Sequence, residues 1–284
     1  MSDTAILLLH CPDQKGIVAA LADFVFRHGG NILSCDQYQD TEYGLFFMRM
    51  QWSLDDFDLT REQFSKAFAP LTEKFNFQWK IAYSNVRERV AIFVSHYQHC
   101  LVDLLYRHQI GELTCDIPLV VSNHPDAEIT ANHYGIPFAY TPILAGRKSE
   151  AERQQITLLK EAGIGLVVLA RYMQILSPEF VAHFPQRIIN VHHSLLPAFV
   201  GANPYLAAYK RGVRLIGATS HYVTDILDDG PIIEQSTART THRDQLEDLK
   251  QKGRDQERIV LSRAVRWHLE HRILCSSGRT ILFE

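Results

Sequence analysis

Hydrophobic and polar positions follow two different periods along residues 1–84. Ala5-Ile6-Leu7-Leu8-Leu9 is a short apolar run with strand character, closed by the turn- and helix-starting residues Cys11-Pro12-Asp13-Gln14-Lys15-Gly16. Ile17, Leu21, Phe24 and Val25 then recur at helical spacing up to His28, where Gly29-Gly30 ends the helix. Asn31–Gln39 and Gly44–Trp52 read as two strands of a hairpin turning at Asp40-Thr41-Glu42-Tyr43. Phe57–Phe68 predicts a second helix and Phe75–Tyr83 a last strand. The resulting order is β-α-β-β-α-β, that of a small split β-α-β unit.

After the polar joint Ser84-Asn85-Val86-Arg87-Glu88 the pattern changes. Arg89–Ser95 is a nearly continuous apolar run of the kind found in strands buried on both faces. A helix at 98–108, a strand at 116–122, a helix at 126–133, a strand at 136–140, a helix at 149–162 and the strand Ile164–Ala170 follow in alternation. Such alternation predicts a doubly wound, mostly parallel, Rossmann-like α/β sheet. The expected organisation is therefore a ferredoxin-like βαββαβ module over 1–84 and a larger α/β domain over 86–284. A long helix at about 243–270 carries Leu246, Leu249, Ile259, Leu261, Val265 and Leu269.

Composition narrows the classes. With 284 residues the chain is long enough for one large domain or two smaller ones, with an ample core either way. A net charge of −3 gives no reason to expect a nucleic-acid or membrane partner. Cys11, Cys35, Cys100, Cys115 and Cys275 are scattered, with no Cys-x-x-Cys pair, as expected of reduced thiols in the cytoplasm. The longest apolar run falls well short of a membrane span.

Candidate chemistry gathers in 187–231. Ile188-Ile189-Asn190-Val191 has strand character and runs into His192-His193-Ser194, followed by Pro197 and Gly201. Leu215–Val223 is a second strand, leading into Asp225-Ile226-Leu227-Asp228-Asp229-Gly230-Pro231. Sites in open α/β sheets lie where strands end in such loops, so Asn190, His192 and Asp228 can converge. Singly, each has a plain structural explanation: a loop cap, an interior histidine, a turn acid.

Their combination resembles the folate-dependent formyltransferase family, marked by Asn-x-His, then Ser-x-Leu-Pro, then Leu-Asp-x-Gly-Pro. The matching residues are Asn190, His192, Ser194, Leu196, Pro197, Leu227, Asp228, Gly230 and Pro231. Within that family the doubled His192-His193, the Gly201–Tyr205 continuation and the N-terminal extension resemble the deformylase branch. The resemblance implies 10-formyltetrahydrofolate as substrate, hydrolysed to tetrahydrofolate and formate, or alternatively a formyl group passed to an amine. It implies a pocket for the folate at Met173, Gln174, Ile175, Leu176, Val223, Thr224 and Leu227, with His193, Ser194, His221 and Gly201 supporting the site.

Attack on an N-formyl group creates a tetrahedral centre with a negative oxygen, which needs hydrogen-bond donors and a group that handles protons. Asn190 and His192 can donate, and Asp228 can orient water or hold the His192 tautomer. No metal or other cofactor is required. Adjacent His192 and His193 on an extended chain point apart, which argues against joint ligation. The loop Ser95-His96-Tyr97-Gln98-His99-Cys100 lacks the glycines with which the glycinamide ribonucleotide transferases of the family cradle a phosphate. It is expected to be a polar strand-to-helix loop with Cys100 facing inward.

Residues 1–84 resemble the ACT regulatory module, on Asp13-Gln14-Lys15-Gly16-Ile17-Val18 and Gly30-Asn31-Ile32. That resemblance implies a homo-oligomer paired through these modules and an amino-acid effector against Asp13, Gly16, Gly30 and Asn31. The plain alternative is that the glycines serve turn geometry alone.

Overall fold

The computed structural model describes residues 3–198 and 204–284 and divides them into two compact units. The first begins with β1 (Thr4–Pro12), α1 (Ile17–Arg27), β2 (Asn31–Asp40), β3 (Leu45–Ser53), α2 (Arg61–Phe75) and β4 (Gln78–Tyr83). Its sheet has the order β2-β3-β1-β4, all neighbours antiparallel. β1 occupies a central position because both its faces are apolar, and Ala5, Leu7, Leu8 and Leu9 are almost wholly buried. One face packs on the helices through Trp52, Phe64 and Phe68, whose rings stack 5.3–6.0 Å apart.

α2 starts later and ends later than the predicted 57–68. Thr60 and Gln63 form a reciprocal capping box that satisfies the first free amides, and Phe57 packs on Trp52 from the turn before it. Asn76, in the left-handed conformation, ends the helix, so Phe75 and Phe77 are core residues ahead of the strand.

The second unit contains β5 (Glu88–Val94), α3 (His99–Gln109), β6 (Cys115–Ser122), α4 (Glu128–His133), β7 (Phe138–Tyr140), α5 (Lys148–Glu161), β8 (Leu166–Leu169) and α6 (Pro178–Ala182). β9 (Ile188–His192), α7 (Pro204–Arg211), β10 (Leu215–Tyr222), β11 (Ile232–Arg239) and α8 (Leu246–Leu269) complete it. The seven-stranded sheet has the order β11-β10-β9-β8-β5-β6-β7. From β9 to β7 it is parallel, while β10 and β11 run antiparallel to their neighbours. β11 was not predicted, because only alternate residues are covered and its sequence reads as polar.

The C-terminus also departs from the expected boundary at 284. After α8 the chain forms β12 (Ile273–Ser276) and β13 (Arg279–Leu282), and residues 271–276 and 281–284 belong with the first unit. The reason is apolar: Leu274 and Phe283 bury against Leu8 and Phe47 on the sheet face opposite the helices. Burying residues of this size contributes roughly 1.5–3 kcal/mol apiece.

His271 enters the first unit under two cations. Burial first, then Lys80 and Arg49, lower its pKa from 6.5 to about 4. Between those values the unfolded chain binds a proton at His271 that the folded chain does not. The stability held above pH 6.5 is therefore lost as the pH falls through this window. His271→Asn, which tolerates the left-handed backbone there, should flatten the slope of unfolding free energy against pH between 6.5 and 4; an unchanged slope would contradict the assignment.

Candidate active site

Three strands deliver the site. β8 lies parallel to β9 with Leu169 opposite Asn190, and β10 lies antiparallel to it with His221 opposite Asn190 and Thr219 opposite His192. The register puts Asn190 and His221 on one face, and the Asn190 amide nitrogen is 3.2 Å from His221 Nε2. His221 Nδ1 donates to the Tyr222 carbonyl at 2.9 Å, so Nε2 carries the lone pair that accepts from Asn190. Burial holds the His221 pKa below its usual value, against the opposing pull of that bond and of Asp228, which keeps the ring neutral. One amide hydrogen of Asn190 is thus engaged and the other is left for the cavity.

Asp228 arrives from the β10–β11 loop. The loop folds back tightly enough that a Cβ on Gly230 would lie 1.7 Å from the Tyr222 carbonyl oxygen, which only glycine avoids. Asp228 itself is left-handed, at φ 56°, and brings Oδ2 to 3.2 Å from His192 Nδ1, with Oδ1 3.7 Å from His221 Nε2. Burial would raise its carboxyl, but the hydrogen bond from His192, with the field of the neighbouring histidines, holds it below the usual range. Asp228 is therefore an anion at neutral pH, accepting from His192 Nδ1–H. His192 Nε2 is buried and has no hydrogen-bond partner among the described residues.

Asn190, His192, His193, His221 and Asp228 line one cavity of about 310 Å³, together with all seven residues expected of a folate pocket. Two segments form the walls. Ser95 Oγ accepts from the Met173 amide at 3.0 Å, and Ser177 caps α6 by accepting from the Phe180 amide, which fixes 171–177. Met173, Ile175, Ile226 and Leu227 remain about half exposed at the rim, an apolar edge suited to a flat ligand.

His193 does not point away from the cavity. β9 ends at His192, so strand alternation stops there and the two rings lie 5.2 Å apart. Ser194 serves the backbone instead: its hydroxyl donates to the Ala198 carbonyl, while its own carbonyl accepts from Thr219 Oγ1, which also receives the Leu196 amide. The Leu196-Pro197 peptide is cis. Gly201 lies outside the described residues. In the first unit, Gly16 is left-handed before α1, and Gly30 is demanded by packing, since a Cβ there would meet Val25 at 2.6 Å. Asp13 accepts from the Gln39 side chain, and Asn31 opens β2 opposite Ser53.

The formyl transferase family profile matches residues 88–265. The chain belongs to the formyl transferase family. It is 51% identical to the formyltetrahydrofolate deformylase of Synechocystis, covering 99% of this chain and 98% of that one. The crystal structure of a formyltetrahydrofolate deformylase from Pseudomonas syringae superposes with a TM-score of 0.97 at 42% identity, over 100% of this chain and 95% of that one. Glycinamide ribonucleotide transformylase 1 from Symbiobacterium toebii is more distant, with a TM-score of 0.68 at 27% identity over 71% of this chain and 97% of that one.

Beside this formyl transferase cavity lies a charge cluster that sequence reasoning missed. Glu257 of α8 is 1% exposed; His99 Nε2 is 2.7 Å from its Oε2, Tyr205 donates to its Oε1 at 2.6 Å, and Arg171 Nε lies 3.4 Å from Oε2. Burial would raise the Glu257 carboxyl, and the partners His99, Arg171 and Tyr205 overcome that and lower it. The sequence signal is a glutamate on the otherwise apolar buried stripe Leu249-Gly253-Glu257-Val260-Leu261-Ala264. His99, Cys100 and Glu257 place ligand atoms within 4.8 Å of one another, the one such group among the described residues. Arg171 on Glu257 opposes a cation there, and burial, then Glu257, push the Cys100 thiol well above its usual range. Removing one partner of a buried charge set costs about 3–5 kcal/mol, so Glu257→Ala should lower the unfolding free energy by that much in urea titration. A loss under about 1 kcal/mol would mean that water screens the cluster.

Proposed function

We propose that the protein hydrolyses 10-formyltetrahydrofolate to tetrahydrofolate and formate. What carries the reading is the convergence of Asn190, His192 and Asp228 on an apolar-rimmed cavity. The end-to-end likeness to deformylases supports it.

The chemistry follows from the placement. The folate lies along Met173–Leu176 and Val223–Leu227, its formyl carbonyl facing Asn190. The free amide hydrogen of Asn190 and N–H of His192 Nε2 stabilise the oxygen that becomes negative when water adds to the formyl carbon. Asp228 receives the water through its free lone pairs while Oδ2 holds His192 Nδ1–H. As the tetrahedral centre collapses, the C–N10 bond breaks and N10 takes a proton from His192. The proton lost by water stays with the Asp228–His192 pair, and the formic acid ionises to formate. With its carboxyl held low, Asp228 is a weak base by itself, so the pair acts as one unit.

Transfer to a phosphorylated amine is disfavoured by the loop after β5. It has no glycine, and its side chains are engaged with their neighbours: Ser95 Oγ donates to Asn123, the His96 ring stacks on His124 and pairs with Asp126, and Gln98 donates to the Asp126 carbonyl.

Formate release from 10-formyltetrahydrofolate without an amine acceptor tests the reading directly. Asn190→Ala should slow it by ~10²–10³. His192→Ala should do at least as much, and Asp228→Asn should collapse turnover while folate affinity, measured by titration, survives. Asn190→Ala/Asp228→Asn should be far less impaired than the product of the single losses. Near-normal turnover in Asp228→Asn would sink the mechanism.

The first unit we read as an ACT-type module that pairs with its copy in a homo-oligomer and takes an amino acid near Asp13, Gly16, Gly30 and Asn31. Supporting this, β2 is a long sheet edge that exposes Leu33 and Tyr38. Light scattering at micromolar concentration should give a dimer or larger; a monomer would overturn the assignment.

A further inference from the structure

A second cavity of about 350 Å³ lies in the same unit, behind the first. Arg171, Met173 and His193 line both, so these three side chains form the partition. The formyl-handling pair sits at that partition, since His193 follows His192 with its ring 5.2 Å away.

The charges of the second chamber are arranged for an anion. Its floor is the buried Glu257, whose carboxylate is consumed by His99, Tyr205 and Arg171. Gly253 allows this, because a Cβ there would lie 2.1 Å from the Tyr205 hydroxyl, so the phenol can lie flat on α8. Arg171 is 8% exposed, its guanidinium 5.3 Å from the Tyr97 ring centre and its Nε 3.4 Å from Glu257 Oε2. On the open side, Lys250 and Arg254 stand one helical turn apart on α8. Lys250 bonds Glu247 at 2.6 Å, but Arg254 enters no salt bridge among the described residues. With Glu257 spent internally, the chamber presents a net positive wall.

We propose that this chamber is a binding site and exit route for the small monocarboxylate product, formate, separate from the folate cavity. The inference rests on the hydrolytic reading. Formate forms at the partition as an anion while the folate product still fills the first cavity. The second chamber is then the cationic way out, and Lys250 and Arg254 draw the anion toward solvent.

The test uses ¹³C-formate and the full-length protein, free of folate, with binding read from broadening of the formate resonance. A ligand of so few atoms binds no tighter than about millimolar. The wild type should broaden the line, tetrahydrofolate should leave the effect in place, and Lys250→Gln/Arg254→Gln should weaken binding roughly tenfold, the change expected for losing charge contacts at a half-exposed wall. During turnover, formate should inhibit without competing with the folate substrate. Equal binding by the double variant, displacement of formate by tetrahydrofolate, or no binding at all would each overturn the proposal. Formate binding needs no turnover, so absence of formate release from 10-formyltetrahydrofolate would instead count against the hydrolytic reading.

Discussion

The register of β10 against β9 is the constraint on which the site depends. It sets His221 opposite Asn190 and Thr219 opposite His192. A slip of one residue would turn each of these side chains to the other face of the sheet. The register is pinned from several sides at once: Thr219 bridges the Ser194 carbonyl and the Leu196 amide, Gln235 of β11 donates to Leu196 and Thr219, and Gly217 lets Leu195 and the Ser236 carbonyl close in. Only with that lattice of bonds in place does the loop after β10 return Asp228 to His192. The side chains of the candidate site are thus held by neighbours that take no part in the proposed chemistry.

Much of this was legible in the chain, for physical reasons. Asn190 and His192 stand where an apolar strand runs into polar residues and Asp228 in the acidic turn that follows the next strand, and such edges are the clearest signals a sequence carries. The module order βαββαβ was readable because its helices and strands keep their own periods. β11 was not, because an edge strand with one solvated face shows only weak alternation. β12 and β13 were too short to stand out from a polar tail. The direction of His193 was not legible, because nothing in the sequence marks the end of strand alternation at His192. Glu257 escaped notice because a carboxylate in a long charged helix reads as solvated unless its exact face is known.

The unit holding the site handles buried charge in two contrasting ways. At Glu257 every oxygen is satisfied and the group is inert. At the Asp228–His192 pair the balance is deliberately incomplete, since His192 Nε2 has no partner among the described residues. Buried unsatisfied polar atoms cost stability, and they persist where a ligand supplies the missing bond. The two arrangements lie on either side of Arg171 and His193, so a satisfied charge cluster backs one left open.

The return of the last residues to the first unit bears on how the protein is made. Leu8 and Phe47 are synthesised long before their partners Leu274 and Phe283. The first unit can assemble its helix-facing core as soon as its own strands and helices are made, but its other face stays uncovered until residues 274–283 follow. For that interval the nascent chain carries an apolar sheet face with no cover, and a ribosome stalled before residue 274 would leave it that way. The order of synthesis thus sets a period of aggregation risk that the finished fold no longer shows.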